Sequence, residues 1–138
     1  MNKTIYCDMC ADLFHWGHVN ILRDAKNLGN KLIVGIHSDE TIISYKRKPI
    51  MNMVERIKVV ESCKYVDRVI PNAPLVITKD FIHKYGINLV IHAHDKKDNP
   101  KYNFMYKIPY ELGIFKRINY TKGISTTDII DRVKQSSN

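Results

Sequence analysis

Two histidines three residues apart, in His15-Trp16-Gly17-His18, stand between an apolar run and a segment of helical period. That spacing puts both imidazoles on one face of the first turn of a helix. A helix start also offers free backbone N–H groups and the positive end of the macrodipole, which favour anions. Gly17 lets backbone approach closely. Two donors at such a place suit the crowded charge of a nucleotide α-phosphate during substitution. The same H-x-x-H can hold a metal ion if further ligands join it, and His92 and His94 at the end of another apolar run are candidates. Exposed caps without chemistry are the third reading. Spacing alone leaves all three open.

Apolar clusters bounded by turn residues alternate along the chain with longer segments of helical period, which predicts β-α-β units and a parallel sheet. Lys3–Asp8 reads as the first strand, Gly17–Leu28 as the helix after the histidine loop, and Lys31–Ile36 as a second, buried strand. Ser38–Ser44 predicts a short helix, followed by the basic stretch Tyr45-Lys46-Arg47-Lys48-Pro49. Asn52–Cys63 has helical spacing, and Val66–Ile70 is a short strand. Two prolines make Pro71-Asn72-Ala73-Pro74 a loop. Thr78–Tyr85 predicts a helix ended by Gly86, and Ile87–His92 another buried strand. His94–Lys101 reads as an exposed polar loop, Asn103–Leu112 as a weaker helix and Ile114–Ile118 as the last strand. Ser125-Thr126-Thr127-Asp128 matches the S-x-x-D form of a capping box before a closing helix. Five strands alternating with helices make a single α/β domain over residues 1–138. The predicted fold is a doubly wound, parallel, Rossmann-like sheet with ligands at the carboxyl ends of its strands.

The chain of 138 residues is 44% hydrophobic with a formal net charge of +8. It holds no apolar run of the roughly 20 residues that cross a membrane. The start, Met1-Asn2-Lys3-Thr4, leads straight into a strand without the pattern of a signal peptide, so a cytoplasmic, soluble protein is expected. Scattered lysines without interleaved aromatics favour small anionic ligands over nucleic acid. Cys7-Asp8-Met9-Cys10 lacks the second pair that a structural zinc site needs, and Cys63 makes the count odd, so the cysteines read as structural thiols.

The order strand, loop, H-x-G-H, helix, together with the segments DLFHWGH at 12–18, LIVGIHSDE at 32–40, KYVDRVIPNAP at 64–74 and GISTTDII at 123–130, resembles the cytidylyltransferase branch of the HxGH nucleotidyltransferase superfamily. The likeness runs from Ile5 to about Val133 and is nearest to the enzymes that use CTP with phosphoethanolamine or phosphocholine. It implies in-line attack of an acceptor phosphate on the α-phosphorus of CTP, with Mg²⁺ accompanying the triphosphate and pyrophosphate leaving. Catalysis would then rest on positioning and charge neutralisation. The resemblance gives His15, His18 and Lys46 the catalytic roles. It assigns Met9, Cys10, Asp12, Gly17, Lys48, Arg56 and His92 to the nucleotide, with Gly123, Ile124, Ser125, Thr126 and Thr127 holding its phosphates. Leu75, Asp95 and Tyr106 fall on the acceptor. It also implies a homodimer and no membrane contact.

Several positions depart from the family pattern. Met9 stands where a glycine is usual, Ala11 where an aromatic is usual, and Arg47 replaces the glycine after Lys46. Tyr120 occupies the place of a phosphate-binding arginine, for which Lys122 or Arg117 are possible substitutes. Leu75 replaces an aromatic that helps enclose a quaternary ammonium, which weakens cation–π recognition there. Phosphoethanolamine is therefore the expected acceptor, ahead of phosphocholine and glycerol-3-phosphate. A catalytically weak nucleotide-binding relative and a basic nucleic-acid binder are the competing classes.

Overall fold

The structure is a computed structural model, and it describes residues 2–94 and 104–136. Five strands run β1 (Thr4–Met9), β2 (Lys31–Ile36), β3 (Arg68–Ile70), β4 (Leu89–His94) and β5 (Phe115–Asn119). Between and after them come α1 (Trp16–Lys26), α2 (Asp39–Ile43), α3 (Met53–Glu61), α4 (Lys79–Lys84), α5 (Lys107–Glu111) and α6 (Thr126–Ser136). The sheet is parallel throughout, in the order β3-β2-β1-β4-β5. The chain winds outward from β1 through β2 to β3, then crosses back to β4 and β5. The switch point lies between β1 and β4, where such folds open a ligand crevice.

Strand alternation divides the core. Ile5, Cys7, Leu32, Val34 and Ile36 point to one face, where α1 and α3 contribute Leu22, Ala25 and Val60. Tyr6, Ile33 and Val90 point to the other, which Ile82 of α4 covers together with Met105 and Tyr106. Burial on both faces explains why β2 is apolar almost throughout. At Gly35 a Cβ would fall onto the Tyr6 hydroxyl, so this strand position admits no side chain.

The predicted order of elements matches, and the bounds differ at several ends. β4 starts two residues later than expected, because the Ile87 N–H closes α4 on the Ile82 carbonyl at 2.9 Å and Asn88 pairs with Thr4. α5 is shorter than its predicted span, and Pro109 sits in its first turn, where a missing N–H is tolerated. α3 begins at a reciprocal cap between Asn52 and Glu55. Of the loop expected at 94–101, His94 ends β4, and 95–101 lie outside the described residues. Among the described residues no helix is long and apolar enough to cross a membrane.

Candidate active site

The loop after β1 holds two non-glycine residues in the left-handed region, Ala11 at φ 58° and Leu13 at φ 48°. Such backbone costs roughly 1–2 kcal/mol per residue, so surrounding contacts must hold it. Ala11 is packed in the core, and Asp12 beside it is buried. Asp12 Oδ2 accepts the Ile50 N–H at 2.8 Å, and Oδ1 accepts the Met51 N–H at 2.9 Å. The Asp12 carbonyl accepts the Thr126 hydroxyl at 2.8 Å. One residue thus gathers the β1 loop, the entry to α3 and the first turn of α6 around a common space.

That space is a cavity of about 690 Å³. Its size falls within the roughly 300–1,000 Å³ of small-molecule sites. His15, Gly17 and His18 line one side, Lys46 and Arg47 overhang it, and the run 120–128 forms the far wall. Gly17 is required at this point, since a Cβ would lie 2.8 Å from the His15 ring. Gly123 turns the chain into α6 at φ 86°. The Ser125 hydroxyl caps that helix by accepting the Asp128 N–H at 3.1 Å.

His15 is the N-cap of α1. Its Nδ1 accepts the Gly17 N–H at 3.1 Å, while its own N–H donates to His18 Nδ1 at 3.0 Å. With both Nδ1 atoms accepting, each neutral ring carries its proton on Nε2. Phe14 stacks on His18 with centroids 5.3 Å apart. Burial, followed by repulsion from His15 and Lys46, lowers the His18 pKa to about 3. Burial and then Arg132 lower His15 as well. The cap therefore fixes the tautomer: Nδ1 builds the helix start and leaves Nε2–H as a donor.

Other predicted nucleotide residues fall in two groups. Cys10, Asp12 and the run 123–127 line the cavity with the histidines and Lys46. Met9, Lys48, Arg56 and His92 do not. Met9 packs against the core, Lys48 is exposed, and the His92 ring lies 4.5 Å from that of Tyr106. Arg56 is fully buried, and its guanidinium is spent on protein oxygens. It donates to the carbonyls of Met51 at 3.0 Å and of Cys10 and His37 at 2.8 Å, and to Asp39 Oδ1 at 2.6 Å. Arg56 therefore positions the strand ends that carry the site. Cys7 and Cys10 are free thiols whose pKa values burial raises.

A second polar centre lies at the ends of the middle strands. The Tyr106 hydroxyl donates to Asp8 Oδ1 at 2.7 Å, and His37 Nε2 lies 3.3 Å from Asp8 Oδ2. His37 Nδ1 pairs with the Tyr45 hydroxyl at 2.8 Å. Burial and the neighbouring Asp8 raise the Tyr106 pKa well above its usual value. Leu75 is half-buried against the cluster that contains Tyr106. Asp95 lies outside the described residues. Asp8 and His37 are missing from the sequence-based set, although each is an ionisable residue near the carboxyl end of an apolar strand. Among the described residues no group of three or more His, Cys, Asp or Glu is placed to hold a metal ion.

A sequence model of the cytidylyltransferase-like family matches residues 6–132. The ethanolamine-phosphate cytidylyltransferase of Dictyostelium discoideum is 43% identical over 136 residues, covering 96% of this chain and 38% of that protein. Choline-phosphate cytidylyltransferase A of Rattus norvegicus is 40% identical over 131 residues, covering 94% of this chain and 36% of that protein. The chain thus spans less than half the length of these curated relatives. A lipopolysaccharide core biosynthesis protein from Thermoplasma volcanium shares the fold with a TM-score of 0.69 at 23% identity, over 88% of this chain and 98% of that one.

Proposed function

Because this chain belongs to the cytidylyltransferase-like family, we propose that it transfers CMP from CTP to a phosphorylated alcohol, with phosphoethanolamine as the preferred acceptor. The observation that carries this reading is the pair of Nε2–H donors that His15 and His18 present at a cavity bounded by a helix start. An oxygen of the acceptor phosphate attacks the α-phosphorus, the bond to the bridging oxygen of the β-phosphate breaks, and pyrophosphate leaves. The two imidazoles donate to the α-phosphate oxygens as charge builds, without giving up a proton for good. Lys46 overhangs the same space and neutralises phosphate charge. The first turn of α6, with Ser125, Thr126 and Thr127, receives the β- and γ-phosphates.

Mg²⁺ fits this reading as a companion of the triphosphate. The cavity wall supplies hydroxyls and Asp128 rather than a cage of carboxylates, and Mg²⁺ commonly binds through phosphates, one or two carboxylates and retained waters. Bound there, it would offset the charge of the leaving pyrophosphate. Asp12 is committed to backbone N–H groups and serves to shape the loop.

For the acceptor, Asp8 takes the ammonium head, with Tyr106 and Leu75 as neighbouring walls. The names of the relatives support this choice, and Leu75 favours a primary over a quaternary ammonium. The same reading includes a cytoplasmic homodimer, supported by the exposed Trp16 beside the loop after β1.

The test is turnover. Protein supplied with CTP, Mg²⁺ and phosphoethanolamine should release pyrophosphate faster than with phosphocholine or glycerol-3-phosphate. Binding of CTP without turnover on any acceptor would instead favour a nucleotide-binding relative, the reading that Tyr120 and Met9 suggest. His15→Ala should lower turnover by about 10²-fold or more, the scale of losing one transition-state donor. A near-normal rate in that variant would remove His15 from the mechanism.

A further inference from the structure

We propose that Arg47 is the bidentate grip on the β- and γ-phosphates, supplying from the segment after α2 a guanidinium that the far wall of the cavity lacks. The proposal rests on the CTP reading above. A bound triphosphate brings several negative charges into this cavity, and few groups there can meet them. The two histidines are neutral, and both oxygens of Asp12 already accept backbone N–H groups. The cations on the cavity wall are Lys46, Arg47 and Lys122. Arg47 is the arginine among them, and a planar fork matches two phosphate oxygens at once where an ammonium acts as a point charge.

Its present contact says where that fork reaches. Arg47 Nη2 donates to Thr127 Oγ1 at 3.2 Å, spanning the space from α2 to the first turn of α6. Thr127 lies where the free N–H groups of that helix begin, the place best suited to terminal phosphates. The hydroxyl takes one of the five N–H groups of the guanidinium, and the side chain is exposed rather than packed. On the far wall, position 120 faces the same cavity with a tyrosine. Exchange of the Thr127 hydroxyl for phosphate oxygens needs only a change of side-chain partner.

Calorimetric titration with CTP and with CMP, each with Mg²⁺, separates this role from others. Arg47→Ala should weaken CTP by about tenfold or more while leaving CMP unchanged, since CMP lacks the phosphates in question. Arg47→Lys should recover part of the loss. Adding Tyr120→Arg to Arg47→Ala should recover most of it by returning a guanidinium from the opposite wall. Both residues are exposed, so the variants should fold. Unchanged CTP affinity in Arg47→Ala would overturn the proposal. Equal weakening of CTP and CMP, or no recovery in the double variant, would overturn it by marking Arg47 as a residue that only orders its loop. If the unaltered protein binds no CTP, the functional reading fails and this one with it. If the unaltered protein binds and turns over CTP while Arg47→Ala matches it, this proposal alone fails.

Discussion

The ring centroids of His15 and His18 stand 3.9 Å apart, and the backbone N–H of the first donates to Nδ1 of the second. Two imidazolium ions at that distance would repel strongly in a buried setting, so the pair is built to stay neutral. Free histidine titrates near 6.5, and His18 in the fold titrates near 3. As pH falls below 6.5 the unfolded chain takes up a proton that the folded chain refuses. The contribution to stability is therefore full above 6.5 and is lost as pH falls towards about 3. Ring resonances of His18 should show no protonation between about pH 8 and pH 5. A titration midpoint near the free value would contradict the neutral-donor geometry.

Arg56 gives a prediction of a different kind. Its buried guanidinium ties together the carbonyls that follow β1 and β2, the entry to α3 and the carboxylate of Asp39. Arg56→Met leaves three carbonyls and the part-exposed Asp39 carboxylate without this donor, at a cost of about 1–3 kcal/mol for each buried acceptor left unsatisfied. Urea unfolding should report that loss. The fraction that stays folded should still bind CTP, with any weakening following the loss of stability, because Arg56 does not line the cavity and acts on it through the Cys10 carbonyl. A variant of normal stability with weakened CTP would reverse the assignment and return Arg56 to the phosphates.

Arg56 also shows what sequence could and could not reveal. Periodic apolar runs such as Lys31–Ile36 gave strands that the structure reproduces, and the position of H-x-G-H between strand and helix marked the cavity. Both signals are local. The polar partnerships that finish the site are not: Asp8 meets Tyr106 across 98 positions, Arg47 meets Thr127 across 80, and Arg56 meets the Cys10 carbonyl across 46. A lone arginine on a helical segment reads the same whether it faces phosphate or three carbonyls. Only the packing of α3 against the strand ends decides it.

Asp8 should control the acceptor and not the nucleotide. Its carboxylate accepts from Tyr106 and faces His37, and it does not line the cavity that holds the histidines. Asp8→Asn keeps an oxygen for the Tyr106 hydroxyl but removes the charge that an ammonium would meet. The KM for phosphoethanolamine should rise about tenfold or more, on the scale of a charge-assisted hydrogen bond, with the KM for CTP nearly unchanged. A parallel rise in both would place Asp8 in general structural support.

On the proposed acceptor reading, Leu75 should set the choice between a primary and a quaternary ammonium. It is half-buried against the cluster that contains Tyr106, so a larger side chain at this position would border the acceptor corner. A primary ammonium gains most from oxygen acceptors such as Asp8, whereas a trimethylated one has no N–H to donate and depends on aromatic faces. Leu75→Trp would add such a face, worth about 0.5–2 kcal/mol. The ratio of kcat/KM for phosphocholine to that for phosphoethanolamine should then rise by roughly two- to thirtyfold. Leu75→Ala separates the face from mere space, because it enlarges the corner without adding an aromatic ring. If alanine raises the ratio as much as tryptophan does, volume governs selection at this wall. If only tryptophan raises it, the aliphatic side chain at position 75 is what tunes this site towards phosphoethanolamine.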